Sequence, residues 1–230
     1  MKEKPNYTRY GGVSISYADG GASYSRGSGD NHSRAMNFYV TEMGNKGHYL
    51  DVVLRFHHMD TNFKMFDENG KKIRGDMHNV GISLSSEYGR KKMIDDKGWY
   101  IEPQGQLTLG YLGGDNYTTS NGIAVRQGGI RSALGRIGFN LGKDIDEKTN
   151  IYLKANLLHE FGGGYHAAMT DSSGSRIKID RSFKDTWFEY GIGAAIQTGT
   201  NNHVYLDFER SAGGDFKKDW SWNVGARWTF

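Results

Sequence analysis

The 230-residue chain has no cysteine and only two prolines. Without cysteine there is no disulfide framework and no thiolate metal site, and the chain can cross an oxidising compartment unfolded. With so little proline, strands can run long before a breaker stops them. Long hydrophobic runs are missing as well. No stretch of about 18 apolar residues occurs, so the sequence has no transmembrane helix. Mean hydropathy is −0.68 and hydrophobic residues make up 37%. An excess of one charge sign is also lacking: 29 basic against 26 acidic residues is too balanced a surface to argue for nucleic acid. The start, Met1-Lys-Glu-Lys-Pro-Asn, has no apolar core of a secretory signal behind it.

What is abundant is glycine, at 33 residues, and aromatic side chains, at 13%. They sit in a period-2 pattern, and no segment carries a convincing helical stripe. Alternation predicts about ten strands, near 9–26, 33–44, 47–66, 75–91, 98–113, 129–143, 149–163, 181–198, 202–212 and 217–230. Most exceed the roughly 5–6 residues usual in soluble sheets. They meet the roughly 9–11 that a transmembrane strand needs. Short connections (44–47, 93–97, 143–148, 198–202) alternate with longer or glycine-rich ones (27–32, 67–74, 114–128, 164–180, 212–217). Outer-membrane barrels alternate in this way, with short periplasmic turns and long extracellular loops.

Facing follows from parity. Ile151, Leu153, Ala155 and Leu157 oppose Tyr152, Lys154 and Asn156; Val204, Leu206 and Phe208 oppose Tyr205, Asp207 and Glu209. Extended to every strand, the polar face holds Asp51, Arg55, Glu87, Glu102, Gln104, Gln106, Arg136, Lys154, Glu160, Glu189, Asp207, Glu209 and Arg227. A soluble barrel of this size fills its interior with apolar side chains. Here the polarity is inverted, and low mean hydropathy is what a membrane barrel with a polar lumen gives. Both charge signs in the lumen suggest paired charges across a hydrated pore, not an ion filter of one sign.

The last strand is the most specific segment. Trp220, Trp222, Val224, Ala226, Trp228 and Phe230 share one parity; Ser221, Asn223, Gly225, Arg227 and Thr229 share the other. Three tryptophans and a terminal Phe on a water-facing edge would invite aggregation. Against lipid they suit the interfacial aromatic girdle. Asn223, Gly225, Trp228 and Phe230 at the end of the chain resemble the β-signal that the barrel assembly machinery reads in bacterial outer-membrane proteins.

With this ending, Gly47-His-Tyr-Leu-Asp51, Trp99-Tyr-Ile-Glu-Pro-Gln-Gly-Gln106, Gly135-Arg-Ile-Gly138, Leu158-His-Glu-Phe161, Trp187-Phe-Glu-Tyr-Gly191 and Val204-Tyr-Leu-Asp-Phe-Glu209 form an ordered set. The set resembles the autotransporter β-domain, the translocator of type V secretion. The resemblance implies an all-β fold, a transmembrane antiparallel up-and-down β-barrel with about ten strands here of the family's twelve. It implies a domain over residues 1–230, with the pore helix and first strands expected upstream. It also implies a place in the Gram-negative outer membrane and the export and anchoring of an N-terminal passenger at the cell surface. The partners implied are outer-membrane lipid and lipopolysaccharide, the assembly machinery and the passenger. No nucleic acid, cofactor or metal is expected, and the barrel is expected to be a monomer.

Two other readings remain open. A self-contained small barrel, adhesin or porin-like, would have no passenger. An outer-membrane protease would use acid–histidine pairs, and His57-His58-Met-Asp60 raises that idea. Adjacent histidines face opposite ways on a strand, however, so at most one meets a partner. His159-Glu160 has the same defect, and no third group completes a site. Spaced metal-ligand pairs are not apparent. Gly20-Gly21 and Gly162-Gly-Gly164 read as kinks or turns, Asn121-Gly122 as a turn, and Lys71-Lys-Ile-Arg74 as a solvated loop able to meet anionic lipopolysaccharide.

Overall fold

Alternating side chains and unbroken pairing segments give an all-β structure. The computed structural model describes residues 7–199 and 202–228, with side chains in the last strand described to residue 226. The strands are β1 (Tyr7–Tyr24), β2 (Gly27–Gly44), β3 (His48–Phe66), β4 (Lys72–Arg90), β5 (Lys92–Met93), β6 (Trp99–Leu112), β7 (Asn116–Thr118), β8 (Ala124–Gln127), β9 (Ile130–Asp144), β10 (Thr149–Glu160), β11 (Gly164–Thr170), β12 (Arg176–Ser182), β13 (Asp185–Gln197), β14 (Asn202–Ala212) and β15 (Ser221–Trp228). The main sheet runs β1-β2-β3-β4-β6-β9-β10-β13-β14-β15, antiparallel throughout, with β5 beside β6. It is a meander that curls about one face. The ten long strands match the ten expected segments to within about four residues, except that β2 begins at Gly27 and not at 33.

Several sequence expectations are corrected, among them the loop reading of 71–74, because Lys72, Ile73 and Arg74 are already paired in β4. Residues 27–32, expected to connect strands, belong to β2, and the β1–β2 ladder continues to Tyr24↔Gly27. That hairpin is therefore the tightest at its end of the sheet, and the long-loop alternation starts only after β3. Gly20-Gly21 likewise stay in the ladder, opposite Asn31 and Asp30. Residues 114–128 and 164–180, read as loops, contain a second sheet of order β12-β11-β8-β7. Its strands are short and weakly alternating. They are made by pairing between two distant connections, for example Met169↔Val125, which no local pattern reveals. Gly122 and Gly163 do sit at turns, with φ of +87° and +81°.

The outer face of the main sheet is apolar. Val80, Ile137, Leu153 and Ile192 are all exposed, and Ile15 reaches 81%. Among the described residues no large side chain is fully buried. A chain of this size in water could not leave its apolar surface outside and stay folded; a hydrocarbon surround resolves the conflict. Tyr17, Tyr111, Phe188, Tyr190 and Trp220 lie towards one edge of the band, Tyr88 and Trp99 towards the other, and all are exposed. Trp220 also packs on Phe208 and under Arg210, and Lys143 lies over Trp99.

The inner face has a recurring contact. Tyr39, Tyr49, Tyr100, Tyr152 and Tyr205 each stand directly opposite a glycine: Gly12, Gly89, Gly142, Gly193 and Gly225 respectively. In every case the phenol ring fills the space that a Cβ would take. The ring thus covers bare backbone and the strands close up around it.

Two outcomes test this packing. Gly193→Val should destabilise by about 1–3 kcal/mol through overpacking, and Tyr152→Ala in the same chain should recover much of it; denaturant unfolding followed by gel mobility reads both. Ile192→Arg, on the outer face in mid-band, should cost about 2–4 kcal/mol in lipid. If it unfolds like the parent protein, the outer face does not meet lipid.

Candidate functional site

The polar side chains of the inner face form two networks, each reaching across an intervening strand. Such reach requires that the inner face be concave. In the first, the Arg136 guanidinium on β9 spans β6 to pair with Glu87 on β4 at 2.8 Å. It also donates to the side-chain oxygens of Gln106 (2.8 Å), Gln104 (3.1 Å) and Asn156 (3.0 Å). The Tyr49 hydroxyl donates to Glu87 at 2.8 Å, and Gln104 and Asn140 donate to Glu102 at 2.8 and 3.2 Å. Every donor of the guanidinium is thereby used or nearly so, as a half-buried charge requires.

The second network spans β13. Lys154 on β10 lies 2.9 Å from Asp207 on β14 and also pairs with Glu209. Tyr152 donates to Asp207 at 2.7 Å. Lys218 joins Glu209 at 3.1 Å to Glu189 at 3.0 Å, and the Trp187 indole N–H donates to Glu189 at 3.2 Å. Gly191 and Gly193 on β13 leave the gap through which these side chains meet. Between the networks lies a polar hollow of about 390 Å³, lined by Gln104, Arg136, Asn140, Lys154 and Asp207 among others.

Most of the thirteen expected inner residues lie in these networks. Asp51 stands opposite Glu87, and Arg55 opposite Ser83, on the same row. Glu160 has inner parity but another task. Its carboxylate accepts the Ser132 hydroxyl (2.6 Å) and the Ala133 and Gly162 N–H groups (2.8 and 2.7 Å), locking the end of the β9–β10 pair. The Arg227 side chain is outside the described residues. Of the closing motif, Asn223 pairs with Asp207 and Gly225 receives Tyr205; Phe230 and the Trp228 side chain are outside the described residues.

Sequence reasoning missed Lys218, which lies in a connection. It enters the network because residues 213–220 fold down: Lys218 N–H donates to Ser211 Oγ at 2.6 Å and Ser211 N–H donates to Lys218 O. The Asp185 carboxylate fixes the same loop, accepting N–H groups of Phe216 (3.0 Å), Thr186 (2.8 Å) and Asp215 (2.8 Å). These bonds, that of Phe216 first, hold Asp185 below the usual carboxylate range. The stability they bring is present above the ordinary Asp pKa and fades as pH falls through the depressed one.

The histidine expectations hold in part and fail in part. His57 faces inward over Gly81, and His58 faces outward. A third group does join, contrary to expectation: Asp60 lies opposite His78, so His58, Asp60 and His78 cluster on the outer wall. His58 and Asp60 are two residues apart on one strand face, a spacing visible in the sequence. The partner His78 depends on the β3–β4 register, which is not.

The comparisons point one way. The autotransporter β-domain family model matches residues 4–209. The pertactin autotransporter of Bordetella parapertussis is 31% identical over 210 residues, which are 89% of this chain and 22% of that protein. The probable autotransporter YcgV of Escherichia coli is 29% identical over 96% of this chain and 23% of its own length. The chain therefore spans about a fifth of the length of these relatives. Among solved structures, the β-domain of the Bordetella autotransporter BrkA superposes with a TM-score of 0.76 at 25% identity, covering 96% of this chain and 84% of that one. The NalP translocator domain of Neisseria meningitidis shares the fold, with a TM-score of 0.69 at 12% identity over 100% of this chain and 76% of its own.

The second network makes a quantitative expectation. Lys154→Met leaves Asp207 and Glu209 side by side on β14 without their shared cation, with Lys218 still on Glu209. The loss should be on the order of 2 kcal/mol, between the exposed and buried limits. Adding Asp207→Asn should recover part of it. Unfolding in denaturant measures both; additive losses would show that the groups are not coupled.

Proposed function

We propose, since this chain belongs to the autotransporter β-domain family, that the concave polar face is the wall along which an extended passenger moves. On this reading the domain is an outer-membrane translocator, and its two faces divide the work. The carrying observation is the pair of charge networks facing inward while every apolar row faces out. An unfolded segment presents backbone N–H and C=O groups that must stay solvated. A wall of carboxamides and paired charges offers them partners, and its mixed signs hold no single side chain strongly.

The wall acts by solvation and needs no covalent catalysis. Some relatives are named serine protease autotransporters, and the chain spans 17% of these. The outer apolar band and aromatic rows hold the barrel in lipid, with Lys72 and Arg74 at the end nearest lipopolysaccharide. Asn223, Gly225, Trp228 and Phe230 serve as the signal for the assembly machinery.

Two experiments test this reading. A photo-crosslinking residue at Asn140, on the inner face, should capture the passenger during export, and one at the neighbouring Phe139, on the outer face, should not. Equal capture, or none at Asn140, would end the wall assignment. Deleting Phe230 should slow membrane insertion several-fold while changing the unfolding midpoint little; normal insertion would remove the signal role.

A further inference from the structure

We propose that His58, Asp60 and His78 form a zinc site on the outer wall of the barrel, just above the apolar band. The cluster arises from strand geometry. His58 and Asp60 are two apart on β3, hence on one face; Asp60 is directly opposite His78 on β4. His78 Nδ1 lies 2.7 Å and His58 Nε2 3.6 Å from Asp60 Oδ1. All three ligand atoms are within 4.8 Å of one another. Around a tetrahedral zinc with bonds near 2.0–2.1 Å, ligand atoms are roughly 3.3 Å apart, a spacing that the two distances to Asp60 bracket.

The rings are already set for this. They are stacked, 6.4 Å between centroids and 10° from parallel, with their nitrogens on the same carboxylate. The backbone below is fixed by the β3–β4 ladder and by His78 N–H donating to Asp115 at 2.7 Å. The level is right for an aqueous ion. On β3 the outward row reads Leu50, Val52, Leu54, Phe56, then His58 and Asp60; on β4 it reads Leu84, Ile82, Val80, then His78. Polar residues begin at His58 on β3, opposite Val80, and one row further out on β4, at His78 opposite Asp60.

Two imidazoles and one carboxylate with a fourth position open is a zinc ligand set. Imidazole suits zinc, copper and nickel, whereas magnesium and calcium take oxygen. The bound ion would tie the outer ends of β3 and β4 together and leave one coordination position facing away from the wall.

The test uses the protein extracted from outer membranes in detergent. Titration with zinc should saturate at one ion per chain, and cobalt should give the intense visible absorption of a tetrahedral site. His58→Ala and His78→Ala should each weaken binding more than about a hundredfold, beyond what loss of a merely supporting group costs. His166→Ala should leave it unchanged, because His166 pairs with Asp180 on the second sheet. Heat-modifiable gel mobility confirms that each variant is folded, and the cobalt spectrum of the parent protein needs no variant. A parent protein without saturable zinc binding or tetrahedral cobalt spectrum overturns the proposal. So does unchanged affinity in the folded double variant, or displacement of zinc by excess magnesium.

Discussion

Hydrocarbon offers no partner to a backbone N–H or C=O, and the rest of this structure depends on that. Each strand must give its hydrogen bonds to a neighbour along its whole crossing. The strands are accordingly long, antiparallel and joined in order, and the ladder runs without a break from Tyr7 opposite Gly44 to Tyr24 opposite Gly27. Once the backbone is spent in this way, side chains alone distinguish the two faces. Strict alternation then sends half of them to lipid and half inward. A low mean hydropathy and a membrane location cease to conflict.

The inward half faces a second constraint. Charges in a narrow, partly wet space must be paired or they destabilise the fold. The two networks answer it with one arginine and one lysine placed between strands that are not neighbours, and with a second lysine supplied by a loop. Tyrosines opposite glycines cover bare inner backbone with their rings. On the outer polar rim, Asp19 stands against His32 and Asp60 against His78, along one row of four strands.

Parity made much of this legible. Leu153 and Lys154, or Phe208 and Glu209, declare their faces by position alone, and long runs without proline declare crossings. What stayed hidden depends on register or on distant pairing. His78 meets Asp60 only through a particular β3–β4 alignment. The second sheet forms between two connections some forty residues apart, and Lys218 is inward only because its loop folds onto Ser211 and Asp185. The β1–β2 turn was misplaced because glycine and polar residues at 27–32 look like a loop, although the continuing ladder of a long hairpin holds them extended. Glu160 was placed on the correct face, but its three local bonds give it a fastening task that alternation cannot distinguish from lining.

Arg136 and Lys154 each tie together two strands that flank a third. In a curved wall such links act as tie rods across an arch: they resist flattening, and the strand beneath carries the thrust. Because these ions are mostly buried, the surrounding electrolyte screens the ties only weakly. The curvature of this wall is therefore held by its side chains as well as by the twist of its strands.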